Sequence, residues 1–300
     1  MSKFQKPFLK WAGGKTQIIT SIISKFPKEI NNYHEIFLGG GSVLLAVLSS
    51  DIKIKNNIYV YDLNKGLINC YNQIKNNIKQ LLKDIDTISD EFNSIKINTE
   101  GQRGQPSNID SNNYRTTREH YYYWIREKYN QCLKNTSLDA AYFIFLNKTG
   151  FKGMFREGKN GFNVPYGKKD INKIPQIIDL KEILNIHNLI QNVIFECLSF
   201  EESIKNIKNH DFVYLDPPYA PENKESFVNY TNEGFNIDKH KLLFNLVNEK
   251  KSDFKFVMSN SNVNLVKDNF KDCNCDIIEA KRRINSKKPE SKTEEVIIYN

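Results

Sequence analysis

The chain has 300 residues, 39% hydrophobic and 26% charged, enough for one large or two modest domains with a real core. Its net charge of +8 and pI near 9.0 favour an anionic partner, nucleic acid first among them. No run approaches the roughly 18 apolar residues of a membrane helix, and the five scattered cysteines, odd in number and without a C-x-x-C pair, exclude a disulfide frame and a zinc site.

Taken in order, Pro7-Phe8-Leu9-Lys10-Trp11-Ala12-Gly13-Gly14-Lys15 is a loop with two glycines, an aromatic and a lysine. A phosphate-binding loop would need a glycine where Leu9 stands and a strand before it, so a nucleotide triphosphatase is rejected. Ile18 to Phe26 reads as an amphipathic helix stopped by Pro27. His34-Glu35-Ile36-Phe37 is a short strand running into Leu38-Gly39-Gly40-Gly41, with Ser42 expected to cap a helix from Val43 to Leu48. A second strand, Ile58–Tyr61, closes on Asp62, twenty-one residues after Gly41. Strand, glycine turn, helix, strand, acid is a nucleoside site, the acid placed for ribose hydroxyls. Leu44 stands where a dinucleotide fingerprint has its third glycine, so a cofactor without phosphates, such as S-adenosylmethionine, fits better.

From Leu63 to about Leu189 the pattern changes. Ile68 to Ile88 predicts one helix. Residues 99–118 are polar and rich in turn formers, a mobile loop. Glu119 to Leu133 predicts a tyrosine-rich helix whose stripe reads as core, and Leu138 to Leu146 another helix. Between Asn147 and Lys168, glycines, basic residues and aromatics interleave with no helical or strand period. A stretch of that kind within a domain reads as a functional loop, its cations suited to phosphates and its apolar side chains to base steps.

Asn192–Glu196 is a further strand, followed by Ser199-Phe200. Phe212 to Leu215 is a short buried strand that ends in Asp216-Pro217-Pro218-Tyr219. Proline cannot extend a sheet ladder, so Asp216 sits just past the strand with a stiff rim behind it. That end of an open α/β sheet is where ligands bind. Asp216 and a proline carbonyl can each accept one hydrogen of an exocyclic amine, drawing its lone pair out of conjugation, while Tyr219 offers a face for the ring. Ala220 to Gly234 reads as a lid. His240 to Lys250 predicts a helix with Leu242, Leu243, Leu246 and Val247 buried, then a strand from Phe254 to Ser259. Asp276–Arg283 and Glu294–Tyr299 predict a terminal hairpin, and the run from Lys281 to Lys292, six basic residues against one acid, reads as a phosphate clamp.

The Pro7–Lys15 segment, Phe37-Leu38-Gly39-Gly40-Gly41, the 147–168 loop and Asp-Pro-Pro-Tyr, in that order, resemble the Dam-type (alpha group) DNA adenine amino-methyltransferases over nearly the whole chain. The resemblance implies a Rossmann-like S-adenosylmethionine-dependent α/β sheet, built from 1–65 and 190–300, with a mainly helical target-recognition domain inserted at 66–189. It implies that Trp11, Lys15, Phe37, Gly39, Gly41, Asp62, Phe200 and Asp216 hold the cofactor, Lys15 at its carboxylate end. Related enzymes often have an acid where Ser199 stands. Carried across by position, Arg156 reads a guanine, and Phe151 and Met154 lie against the displaced base stack. Lys152 stands where those proteins have asparagine. Pro165, Lys168, Arg282, Arg283, Lys287 and Lys288 complete the expected DNA contacts. The expected enzyme acts on double-stranded DNA as a cytosolic monomer (nuclear or in a viral factory if the host is eukaryotic), paired or not with a restriction endonuclease of the same site; sequences with a central adenine, GATC among them, lead. Cytosine-N4 methylation and an inactive DNA-binding relative are the alternatives.

Overall fold

A computed structural model describes residues 4–97, 109–167, 175–220, 235–281 and 292–300. The chain divides into two compact units, one of Met1–Lys6, Lys15–Leu63 and Asn192–Asn300, the other of Pro7–Gly14 and Asn64–Gln191.

The first unit is built on a seven-stranded sheet of described strands: β1 Tyr33–Glu35, β2 Ile58–Tyr61, β3 Val193–Glu196, β4 Phe212–Leu215, β5 Lys255–Ser261, β6 Asn274–Lys281 and β7 Lys292–Tyr299, in the spatial order β6-β7-β5-β4-β1-β2-β3. Five neighbouring strands run parallel, and β7 lies antiparallel between β5 and β6. All four residues of β4 are buried, the apolar run expected of a parallel strand covered on both faces. Val213, Leu215, Phe244, Val247, Phe256, Met258, Val296 and Ile298 belong to one core cluster. After β1 the chain moves outward through β2 and β3, then returns to β4 on the opposite side of β1. The carboxyl ends of β1 and β4 therefore flank the point where the strand order reverses, the place where open α/β sheets bind ligands.

Several local expectations are corrected. The first helix spans only Ile19–Ile23, and β1 ends at Glu35, leaving Ile36 and Phe37 in the turn. Gly41, at φ 75°, takes the N-cap position of the Ser42–Leu48 helix, so Ser42 lies inside the first turn and caps nothing. Only glycine enters that left-handed conformation without strain. The Ile237–Lys250 helix begins earlier than expected because Asn236 caps it. Its buried face is His240, Leu243, Phe244 and Val247, the spacing of one helical stripe, and Leu242 is 39% exposed.

The second unit is mainly helical: Lys65–Asn76, Ile78–Ser94, Arg118–Gln131, Ser137–Thr149 and Leu180–Leu189. The single helix expected over 68–88 is two, broken at Asn77 (φ −143°, ψ 35°). In the Arg118–Gln131 helix Tyr121, Tyr122, Tyr123 and Tyr129 are buried, core as expected. The Pro7–Gly14 segment is clasped here. Asn147 accepts from the Lys10 amide (2.9 Å) and donates to the Lys10 carbonyl (2.7 Å) and the Gly153 carbonyl (3.1 Å). Gly153, at φ 66°, has no room for more: a Cβ there would lie 2.6 Å from Lys10 Cβ.

Candidate active site and nucleic-acid interface

The turn after β4 is held from several sides. The Ala220 amide donates to Asn260 Oδ1 (3.1 Å), and Ser261 Oγ donates to the Ala220 carbonyl. Both anchors stand on β5, beside β4. Pro217 is buried, Pro218 exposed, and Asp216 and Tyr219 half-buried. Lys15 Nζ lies 2.8 Å from Asp216 Oδ2 and 4.7 Å from the centre of the Tyr219 ring. Only 4% of Lys15 is exposed, and lysine is almost never buried without a charge partner. Among the described residues, the buried Asp216 Oδ1 has no hydrogen-bond partner. Burial pushes the Asp216 carboxyl up to about 6, Lys15 opposing the shift and Glu295 adding to it. The Tyr219 hydroxyl donates to Glu295 Oε2 (2.6 Å), a partner that local sequence reasoning missed.

At the ends of β1 and β2, the Leu38 amide donates to the Tyr61 carbonyl (2.9 Å), and Gly39, at φ 51°, donates its amide to Asp62 Oδ2 (2.9 Å). The structure thus joins the glycine turn and the acid singled out in the sequence. Phe37 and Phe200 are neighbours too, their ring centres 6.0 Å apart. Phe235, not anticipated, packs on both at 5.8 and 5.4 Å. The Ser199 hydroxyl accepts from the Glu202 amide in a capping box for Phe200–Ser203. Trp11 lies in the second unit, stacked on Phe143 and Phe155 at 6.2 and 5.7 Å.

Glu35, the last residue of β1, was also missed; its signal was an acid set among strand formers in the run Tyr33-His34-Glu35-Ile36-Phe37. It is buried and accepts from the Tyr33 hydroxyl (2.7 Å). Burial raises its carboxyl to about 8 against an ordinary value of 4.5. A folded-state value above the unfolded one means that the stability held by the proton is full below pH 4.5 and is lost as pH rises through about 8. Glu35→Gln keeps the shape without the titration. Its melting temperature, relative to the wild type, is expected to rise between about pH 5 and pH 8.5; a difference that stays constant with pH would count against a buried proton at Glu35.

In the second unit the 150–167 loop closes on itself as a hairpin. Its arms meet where the Phe151 amide donates to the Pro165 carbonyl (2.9 Å) and Gly167 to Thr149 (2.9 Å), around the ladder Glu157–Gly158 with Gly161–Phe162. The tyrosine-rich helix supports it, Tyr122 Oη donating to the Val164 carbonyl (2.9 Å) and Asn130 pairing with both backbone groups of Phe162. Phe151, Lys152, Arg156 and Pro165 are exposed and Met154 half-buried. Arg156 is pre-oriented by Asn163, Nε to Oδ1 at 2.6 Å and Nη2 to the carbonyl at 3.2 Å. Lys152 sits at φ 54°, a region that asparagine tolerates better than lysine. Lys168, Arg282, Arg283, Lys287 and Lys288, the 221–234 lid and residues 98–108 lie outside the described residues. Among the described residues no helix is long and apolar enough to cross a membrane, and no group of metal-binding side chains occurs.

A mostly parallel sheet between helices, with a glycine turn and an acid–proline–proline–tyrosine turn at its reversal point, defines a mixed α/β protein consistent with the S-adenosylmethionine-dependent methyltransferase fold. The chain belongs to the D12 class N6 adenine-specific DNA methyltransferase family, whose sequence model matches residues 11–285. It is 37% identical to the type II methyltransferase M.MjaIII of Methanocaldococcus jannaschii, covering 94% of this chain and 93% of that protein. It is 32% identical to the type II methyltransferase M1.LlaDCHI of Lactococcus lactis subsp. cremoris, over 98% and 95% of the two. With the DNA adenine methylase of Haemophilus influenzae it shares 27% identity over 96% and 90%.

Proposed function

We propose that the protein methylates the exocyclic amino group of a flipped adenine at a specific site in double-stranded DNA, with S-adenosylmethionine as the methyl donor. The observation that supports this reading best is Asp216 Oδ1, a buried acceptor with no partner among the described residues, on a rigid turn at the sheet's reversal point. Leaving such a group unmatched costs about 1–3 kcal/mol, a cost that an amino hydrogen of the target base removes. Extruding the base costs a few kcal/mol of stacking and pairing. Tyr219 then stacks on it, and Asp216 with the Pro217 carbonyl fixes the amine so that its lone pair points at the reacting methyl carbon. Asp216 need not be a strong base, because the amine can lose its proton after the methyl group arrives. Positioning carries the rate.

The residues fit the donor proposed. Asp62 and the turn of Gly39 and Gly41 suit a ribose without a pyrophosphate, and the paired rings of Phe37 and Phe200 suit a purine. Trp11 and Lys15 are proposed for the same ligand on the strength of the family likeness. When bound, S-adenosylmethionine supplies an electrophilic methyl group.

The sheet residues 1–65 and 190–300 are proposed as the catalytic core, and 66–189 as the target-recognition domain, with the basic run including Arg282, Arg283, Lys287 and Lys288 on phosphates. Arg156→Ala is expected to cost about 1–3 kcal/mol at one base pair and to relax specificity there, read from methylation of a site library; unchanged preference removes Arg156 from the reading set. The protein is proposed to act as a monomer, and the names of the type II relatives suggest a cognate endonuclease. Incubation with methyl-labelled donor and duplex DNA, followed by nucleoside analysis, tests the whole reading. Label on adenine N6 is expected; label on cytosine, or none, overturns it.

A further inference from the structure

We propose that Glu295 is a positioning residue for methyl transfer: it fixes the Tyr219 ring through its hydroxyl and opposes Lys15 across Asp216. The inference rests on the reading above and deepens it. Glu295 stands on β7, opposite Ser261 of β5, and the Tyr219 hydroxyl reaches it at 2.6 Å. A hydrogen bond to a charged acceptor is short and strong, whereas a tyrosine held only by packing keeps more of its rotamer freedom. Tyr219 is therefore gripped at three points: the hydroxyl by Glu295, the ring by the Lys15 ammonium, and the following backbone by Asn260 and Ser261. Residues 15, 216, 219 and 295 come from the start, middle and end of the sequence to make one unit of two carboxylates, one ammonium and one ring.

The arrangement also tunes Asp216. The charged groups that act on it are Lys15 and Glu295; Glu35 of β1, Tyr214 of β4 and Tyr219 feel its charge in turn, each raised by it, and are protonated where Asp216 titrates. Lys15 favours the carboxylate; Glu295, of like charge, disfavours it. Removing the charge at 295 therefore moves the acid limb of the rate profile to lower pH.

The test compares wild type with Glu295→Ala and Glu295→Gln. It follows duplex methylation against pH, flipping by the fluorescence of 2-aminopurine at the target position, and binding of S-adenosylhomocysteine by calorimetry. Glu295→Ala is expected to lower kcat by about tenfold, as a misplaced reacting group does, with S-adenosylhomocysteine affinity held within about twofold. Glu295→Gln, whose amide oxygen still accepts the tyrosine proton, recovers most of that rate, and in both variants the acid limb shifts down. Wild type that transfers no methyl group overturns the reading and this inference with it. An active wild type beside a Glu295→Ala variant with unchanged kcat and an unmoved acid limb overturns the inference alone.

Discussion

Asp216→Ala is expected to lower methyl transfer by about 10²–10³-fold, the usual cost of removing one group aimed at a developing charge, while DNA binding stays largely intact. The substitution takes away the acceptor on the target amine. It also removes the carboxylate that lies 2.8 Å from the Lys15 ammonium. Because Pro217 and Pro218 still fix the turn, and Asn260 and Ser261 still hold Ala220, the frame survives. Gel-shift affinity for cognate duplex separates the two effects. A variant that loses DNA binding in proportion to turnover would assign Asp216 to the interface and not to the chemistry.

The second large effect is expected from Lys15→Met. In the wild type the Asp216 carboxyl lies near 6, raised by burial and held down by the charge and hydrogen bond of Lys15. The working form is the carboxylate, so wild-type turnover should fall as pH drops through about 6. Without Lys15 both lowering influences vanish and the acid limb moves up. Every unit by which it passes neutrality lowers the rate there by about tenfold, and the loss is recovered at alkaline pH. That recovery distinguishes an electrostatic role on Asp216 from a contact to the donor's carboxylate, which would raise KM for the donor at every pH. An acid limb left near its wild-type position rules out the electrostatic role.

The parts of this architecture that the sequence announces are those with a short-range cause. Strand β2 matches its expected bounds, Ile58–Tyr61, because four consecutive strand formers end at an acid. The turn after β4 is legible because two prolines permit little else. The glycine turn and Asp62 are legible by spacing, and a hydrogen bond joins them. Where two residues compete for one role, reading is poorer: Gly41 outranks Ser42 as a cap because the chain needs a positive φ, which no capping preference reveals. Asn77 breaks a helix without being a strong breaker. Leu242 differs from Leu243 only by the phase of a stripe set by Asn236. Least legible are the pairs made by folding alone. Lys15 meets Asp216 across two-thirds of the chain, and Glu295 is one of two adjacent acids in a strand, only one of which faces Tyr219.

The clasp of Asn147 on Lys10 bears on how such proteins can be recombined. Residues 7–14 pack with the helical unit, yet the next residue, Lys15, joins the carboxylate at the sheet. A cassette cut from 64 to 191 would leave behind the peptide that satisfies Asn147 and the indole that covers Phe143 and Phe155. Swapping site preference between homologues by exchanging the contiguous segment alone therefore creates a mismatched seam. Chimaeras need both crossovers, with the amino-terminal octapeptide travelling alongside its helices.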